Sequence, residues 1–260
     1  MKTGFKDLDE IIEVDKGDLV VVASRPAMGK STFVLNILSH IALEEKKKVL
    51  FFSLEACKEH LINRLIISNS MVEEEKFGLY NKYKTKPDIS EDDVNRIAYG
   101  INLLKDAPIY ISSDVPYSID DICLKSTIFK KEKNIEAIII DYLQLIQLNK
   151  KKLLSRDEEI TEILRRLKVL AKILDIPVII TSQLSRKCEK RENKKPIIED
   201  FSNSKKAIDS YADKILLLYR DSYYNKENKS NFTDVIIAKN LGGNLNTIKV
   251  AWMPEYCNVW

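Results

Sequence analysis

Soft-metal chemistry has little to work with in this chain. Of 260 residues only His40 and His60 are histidine, and the four cysteines, Cys57, Cys123, Cys188 and Cys257, lie far apart. No pair has zinc-ligand spacing, so the thiols read as free side chains in a reducing compartment. The N-terminus carries no apolar leader core, and no run approaches the roughly 18 apolar residues of a membrane span. A soluble, cytoplasmic protein with no membrane partner is expected. Charge of one sign is also scarce. The net charge is only +3, so bulk electrostatics does not announce a nucleic-acid binder and any basic surface must be local. Candidates are Lys46-Lys47-Lys48, Lys150-Lys151-Lys152 and the stretch 186–195, where six residues are Lys or Arg. The ordinary use of such runs is a solvated face.

What is present suffices for an ample core, with 45% hydrophobic residues beside 31% charged. Apolar runs alternate with amphipathic stretches throughout. The strand-like runs are Leu19-Val20-Val21-Val22-Ala23, Val49-Leu50-Phe51-Phe52, Ile109-Tyr110-Ile111, Ala137-Ile138-Ile139-Ile140 and Val178-Ile179-Ile180. Later ones are Lys214–Tyr219, Val235-Ile236-Ile237 and 248–252. The early runs are continuous and β-branched, which suits a parallel sheet covered on both faces. Between them, 157–174 reads as a helix with Ile160, Ile163, Leu164, Leu167, Leu170, Ala171 and Leu174 on one stripe. Ser155-x-x-Glu158 and Ser118-x-x-Asp121 are capping-box signatures. The pattern is an α/β domain with crossover helices, finishing in an antiparallel hairpin around Gly242-Gly243. No internal repeat or low-complexity linker interrupts it, so a single domain over 1–260 is expected.

Four polar features fall at the ends of these runs. The stretch Ser24-Arg25-Pro26-Ala27-Met28-Gly29-Lys30-Ser31-Thr32 follows a buried strand and opens a helix. It departs from the phosphate-loop pattern only in having Ser24 at the first glycine position. Backbone N–H groups and a helix N-terminus there present positive charge to an anion. Lys30 would reach the outer phosphates, and the Ser31 hydroxyl would bind Mg2+. Asp141, at the exit of Ile138-Ile139-Ile140, has the Walker-B placement for the same ion. A helix cap or turn is its ordinary alternative. Glu55, after Phe51-Phe52-Ser53-Leu54, is placed to polarise a water. Gln183 ends a further central run. In open α/β sheets ligands gather at the carboxyl ends of strands, and four suitable groups at that edge arise by accident far less often than one.

The strings that carry these groups resemble the DnaB family of replicative helicases. They include Thr3-Gly4-Phe5-x-x-Leu8-Asp9, the loop above, Phe52-Ser53-Leu54-Glu55 and the run from Ile139-Ile140-Asp141-Tyr142 through Leu143-Gln144-Leu145-Ile146. Ser182-Gln183-Leu184-Ser185-Arg186, Asp213 with Leu218-Tyr219-Arg220-Asp221, and Ile236-Ile237-Ala238-Lys239 continue the resemblance in order. It covers essentially the whole chain and corresponds to the RecA-like, P-loop motor domain, without the N-terminal helical domain and linker helix of ring-forming relatives. The resemblance implies an ATP hydrolase with Mg2+, acting on single-stranded DNA in replication. It also implies a homo-oligomer, hexameric in the family, with a helicase loader or primase as further partners. It makes Lys30, Glu55 and Gln183 catalytic, Gln183 as a phosphate sensor, with Ser31 and Asp141 at the metal. Arg220 and Tyr256 sit where related helicases sandwich the adenine; a surface ion pair and a core aromatic are the alternatives.

The chain departs from that family in two places. Where relatives read Ala-Lys-x-Arg-x-Gly, with the arginine entering a neighbour's site, this chain reads Ala238-Lys239-Asn240-Leu241-Gly242-Gly243. Lys239 is kept and can supply a point charge without the bidentate fork. The DNA loop read as Arg-Glu-Ser-Gly in relatives is Ser202-Asn203-Ser204-Lys205 with an added Lys206. Together with Arg186 these residues are the candidate DNA contacts. An alternative function is therefore a DnaB-like ATP-binding accessory protein with weak or no helicase activity.

Overall fold

The computed structural model describes residues 1–77, 89–113, 117–149, 155–225 and 227–260, apart from the side chain of Asn203. The lysine run 150–152 lies outside the described residues. After the short α1 (Lys6–Asp9) comes β1 (Leu19–Ser24), then α2 (Lys30–Ser39), β2 (Val49–Ser53), α3 (Lys58–Ser70) and α4 (Glu91–Lys105). The chain continues through β3 (Ile109–Ser112), α5 (Ile119–Lys133), β4 (Ala137–Asp141), α6 (Arg156–Leu174) and β5 (Val178–Gln183). It ends with α7 (Lys205–Tyr211), β6 (Lys214–Tyr219), α8 (Asp221–Tyr224), β7 (Phe232–Asn240), β8 (Thr247–Met253) and β9 (Asn258–Val259).

One nine-stranded sheet runs β3-β2-β4-β5-β1-β6-β7-β8-β9. The first six strands are parallel and the last three antiparallel, so the mostly parallel α/β sheet with a C-terminal hairpin is what the chain builds. Successive side chains of a strand point to opposite faces. Leu19, Val21 and Ala23 of β1 therefore join the core under α5, α6 and α7, while Val20 and Val22 join the core under α2 and α3. Ile138 and Ile140 of β4 divide from Ala137 and Ile139 in the same way. Continuous apolar runs are needed because both faces are covered, and each such buried side chain contributes about 1.5–3 kcal/mol.

Both capping boxes form. Ser118 accepts from the Asp121 N–H and Ser155 from the Glu158 N–H, and each acid reaches back to its cap. The α6 stripe is buried from Ile160 to Leu174. One strand differs from expectation: Ile109, Tyr110 and Ile111 are only half-buried, because β3 is the sheet edge. Among the described residues no helix is long and apolar enough to cross a membrane, and no three or more His, Cys, Asp or Glu side chains gather as a set that could hold a metal ion.

Candidate nucleotide site

Register places the four polar groups before any side-chain geometry is considered. Ser24 at the end of β1 pairs with Gln183 at the end of β5, and Ser53 at the end of β2 pairs with Asp141 at the end of β4. Those strands are consecutive neighbours, β2-β4-β5-β1, and all four run parallel. Their carboxyl ends form one rim. The Leu54 N–H donates to the Asp141 carbonyl at 2.9 Å, which leads Glu55 out beside Asp141.

At that rim the side chains meet. Lys30 Nζ lies 3.4 Å from Asp141 Oδ1, with both residues buried. The same ammonium sits 4.9 Å from the centroid of the Tyr142 ring. Thr181 donates a short hydrogen bond to Asp141. Burial chiefly, and then the charges of Glu55 and Asp141, push the Tyr142 phenol above its ordinary pKa, while a hydrogen bond from the Gln183 side chain opposes them. Tyr142 thus senses Glu55, Asp141 and Gln183 at once. Gln144 braces the next strand: its Oε1 accepts the Gln183 N–H at 3.1 Å, and its Nε2 donates to Ser182 Oγ at 2.9 Å. Sequence reading alone does not single out Tyr142, Gln144 or Thr181 as site residues, although the first two lie within the recognised string.

The phosphate loop takes the shape that its glycine permits. Gly29, at φ 88°, caps α2 in the left-handed region. A Cβ there would stand 2.2 Å from the Trp252 ring, so glycine is required both by the turn and by the close approach. Ser24 is fully buried and its hydroxyl donates to the Arg25 carbonyl at 2.8 Å, occupying without strain the place of the usual glycine. Pro26 and Ala27 are exposed, Met28 is buried, Ser31 is partly exposed and Thr32 is buried. Arg25 does something else. Its Nε meets Glu189 at 2.8 Å and its guanidinium donates to the Leu184 carbonyl at 2.8 Å, so its charge is turned onto the segment after β5. The pairing holds the Glu189 carboxyl below its ordinary range. Only the Arg25 backbone remains to the phosphate loop.

Arg220 lies over the loop, donating to the Ala27 carbonyl at 3.0 Å. The ring against its guanidinium is Trp252, at 4.7 Å, with Tyr223 at 5.9 Å. Burial lowers the Arg220 pKa from the usual guanidinium value. The expected aromatic mate, Tyr256, lies in the 3-10 turn Pro254–Tyr256, and among the described residues the rings against Arg220 are Trp252 and Tyr223.

The remaining candidates lie apart from the rim. Lys239 pairs in register with Ile215, near the amino end of β6, whereas Ser24 pairs with Leu218 further along. Its ammonium donates to the Asp209 carbonyl, and it serves no group in its own chain's site. Leu241 is exposed at the turn after β7. Arg186 is exposed on the 3-10 turn Arg186–Lys190 that follows β5. Ser202 kinks the next 3-10 segment with φ 55° and ψ −125°, and Ser204 is partly exposed. Lys205 is ion-paired to Glu199 at 2.6 Å, which leaves less free charge in this loop than two lysines imply; Lys206 is exposed. Arg191 clamps Asp200 with two contacts, of 2.7 and 2.8 Å, and fixes this segment to the turn before it.

A parallel sheet with a phosphate loop on one central strand, and acidic and amide groups on its neighbours, defines a RecA-like nucleotide-binding domain. Comparison with known proteins narrows this. The chain belongs to the family described as DnaB-like helicase C terminal domain, whose model matches residues 1–259. It is 35% identical over 256 residues to the replicative DNA helicase DnaB of Geobacillus stearothermophilus, and equally to the replicative DNA helicase DnaC of Bacillus subtilis (strain 168). Each alignment covers 98% of this chain and 55% of the relative, so the chain spans about half the length of the curated relatives it matches. One solved ATPase domain superposes with a TM-score of 0.92 at 33% identity, over 99% of this chain and 89% of that one. A DnaB-like replicative helicase, solved in a study of its interactions with primase, gives 0.91 at 33% identity, over 99% and 61%.

Proposed function

We propose that this chain is an ATP-hydrolysing motor domain that moves on single-stranded DNA during replication. Its site would be completed at the boundary between subunits of a homo-oligomer. The observation that supports this most is the meeting of Lys30, Asp141, Glu55 and Gln183 around Tyr142 at one rim. The donor set fits Mg2+: the Ser31 hydroxyl and the Asp141 carboxylate are hard oxygen ligands of the kind this ion takes. Bound there, the ion would neutralise phosphate charge. Lys30, at present neutralised by Asp141, would turn its ammonium to the phosphates. Trp252 and Arg220 offer an aromatic face and a cationic plane to a base. Glu55 would accept a proton from water, and Gln183 would report loss of the terminal phosphate to the segment carrying Arg186.

Single strands would be held by charge and backbone rather than by reading of bases. Arg186 and Lys206 are the exposed cations for this role, with a helicase loader or a primase as further partners. The test is single-strand affinity across a salt series. Each phosphate contact contributes a slope of about 0.7 in log–log form. Replacing Arg186 and Lys206 together with alanine should flatten the slope by about 1.4; an unchanged slope removes both residues from the interface.

The accessory reading, nucleotide binding with weak or no unwinding, keeps one specific support. Leu241 stands 68% exposed where the family resemblance calls for an arginine.

A further inference from the structure

Two ion pairs flank one short turn, and neither has a task in the nucleotide chemistry described so far. The 3-10 turn Arg186–Lys190 follows β5 and is seated by Cys188, which is buried. On the phosphate-loop side, Arg25 is pinned to this segment at two points. Its Nε meets Glu189 Oε1 and its Nη1 donates to the Leu184 carbonyl, both at 2.8 Å. The Leu184 N–H in turn donates to the Ser24 carbonyl at 2.9 Å. On the other side, Arg191 grips both carboxylate oxygens of the buried Asp200, and the Ser185 N–H donates to the Asp200 carbonyl at 2.9 Å. Asp200 shares its 3-10 segment with the Ser202 kink, and Lys206 follows in α7.

Glu189 also closes a circuit back to the nucleotide. Its Oε1 accepts from the Tyr224 hydroxyl at 3.4 Å. Burial first, and then the Glu189 charge, push the Tyr224 phenol up to about 12, so it stays a donor at neutral pH. The Tyr224 ring meets Tyr223 edge to face at 5.1 Å. Tyr223 in turn lies against Arg220, which donates to the Ala27 carbonyl. The phosphate loop and the wall offered to a base thus converge on one carboxylate, and that carboxylate sits between the candidate DNA contacts Arg186 and Lys206. A plain brace is the ordinary use of such a pair. Yet the Arg25 and Glu189 side chains are 13% and 34% exposed, and partly exposed pairs add little to folding stability. What this one fixes is relative position: the guanidinium spans the phosphate loop and the segment after β5, so a displacement of either carries the other. We infer that Glu189 is a positioning residue that couples nucleotide occupancy to single-strand grip, through the turn whose far end, Arg191 on Asp200, sets the DNA loop. The inference rests on the nucleotide and single-strand reading proposed above and adds an electrostatic route to that of Gln183. Glu189 acts through Arg25 and Tyr224 and itself touches neither ligand.

A binding cycle tests this. Affinity for fluorescein-labelled oligo(dT) is measured with and without a saturating non-hydrolysable ATP analogue and Mg2+, and affinity for the analogue with and without oligo(dT). In the wild type the two ligands should alter each other's affinity by about fivefold or more, and by the same factor in both directions, because linkage is reciprocal. Glu189→Gln keeps size and polarity but removes the charge. It should bring the factor close to one while each ligand alone binds about as well as to the wild type. Arg191→Lys keeps the charge but loses the two-pronged grip, and should give an intermediate factor. Lys195→Gln breaks a 2.7 Å pair to Asp234 that leads to neither site, and should keep the wild-type factor. A merely structural Glu189 would move melting behaviour or both affinities and leave the factor alone. A wild-type factor in Glu189→Gln overturns the inference, as does an equal loss in Lys195→Gln. An unchanged factor in Arg191→Lys overturns it as well, which keeps the test decisive if Glu189→Gln does not fold. A wild type that binds both ligands with a factor of one sinks the coupling and spares the proposed site; a wild type that binds neither removes both.

Discussion

Glu55→Gln should slow ATP hydrolysis by about 10²–10⁴-fold, the usual contribution of a positioned general base. ATP affinity should change by no more than a few-fold. Two carboxylates stand at this rim, and their surroundings divide the labour. Asp141 is buried, with the Lys30 ammonium at 3.4 Å and the Thr181 hydroxyl donating to it. That carboxylate is already taken up by these two partners. Glu55 is exposed, and its charge nonetheless reaches the Tyr142 phenol beside Asp141. It is the carboxylate open to water at the mouth of the site. Glutamine keeps the shape and hydrogen-bonding reach but cannot take a proton. Single-turnover hydrolysis with nucleotide binding measured in parallel decides the matter. Full activity in the variant transfers the base to another residue.

Leu241→Arg should raise turnover in the assembled protein by at least tenfold and leave the isolated monomer unchanged. Arginine fingers contribute about 10³–10⁵ where they operate. The backbone for one is in place: the Leu241 N–H donates to the Asp213 carbonyl at 3.0 Å, and Asp213 is itself anchored by Lys168 and the Leu19 N–H. The neighbouring cation does not substitute well. Lys239 is held by the Asp209 carbonyl, with the Asp209 carboxylate 3.8 Å away, and an ammonium lacks the planar fork. Steady-state ATPase at matched assembly mass is the measurement. No gain in a proven ring means that a different residue supplies the transition-state charge.

Much of this is legible in the letters because the chemistry is concentrated at strand ends. A β-branched run buried on both faces announces a central strand, and the first polar residue after it must emerge at the rim. That reasoning locates Lys30, Glu55, Asp141 and Gln183 without coordinates. What it cannot supply is neighbourhood across the sheet. Thr181 looks like any strand threonine until β4 and β5 are seen side by side. Arg25 reads as a phosphate ligand until Glu189, 164 positions later, is found against it. Trp252, four residues before Tyr256, is found against Arg220 only once the strands are folded side by side. The helices α3 and α4 also escape the pattern of apolar runs. Cys57 gives α3 no side-chain cap, whereas Ser90-x-x-Asp93 forms a full capping box for α4 and is there to be read.

The most direct measurement is equilibrium titration of the wild-type chain and Lys30→Ala with Mg–ATP. The wild type should bind, and the variant, folded and of unchanged melting behaviour, should lose at least a hundredfold in affinity. Equal binding by the two would mean that the triphosphate does not sit where β1, β2, β4 and β5 end together.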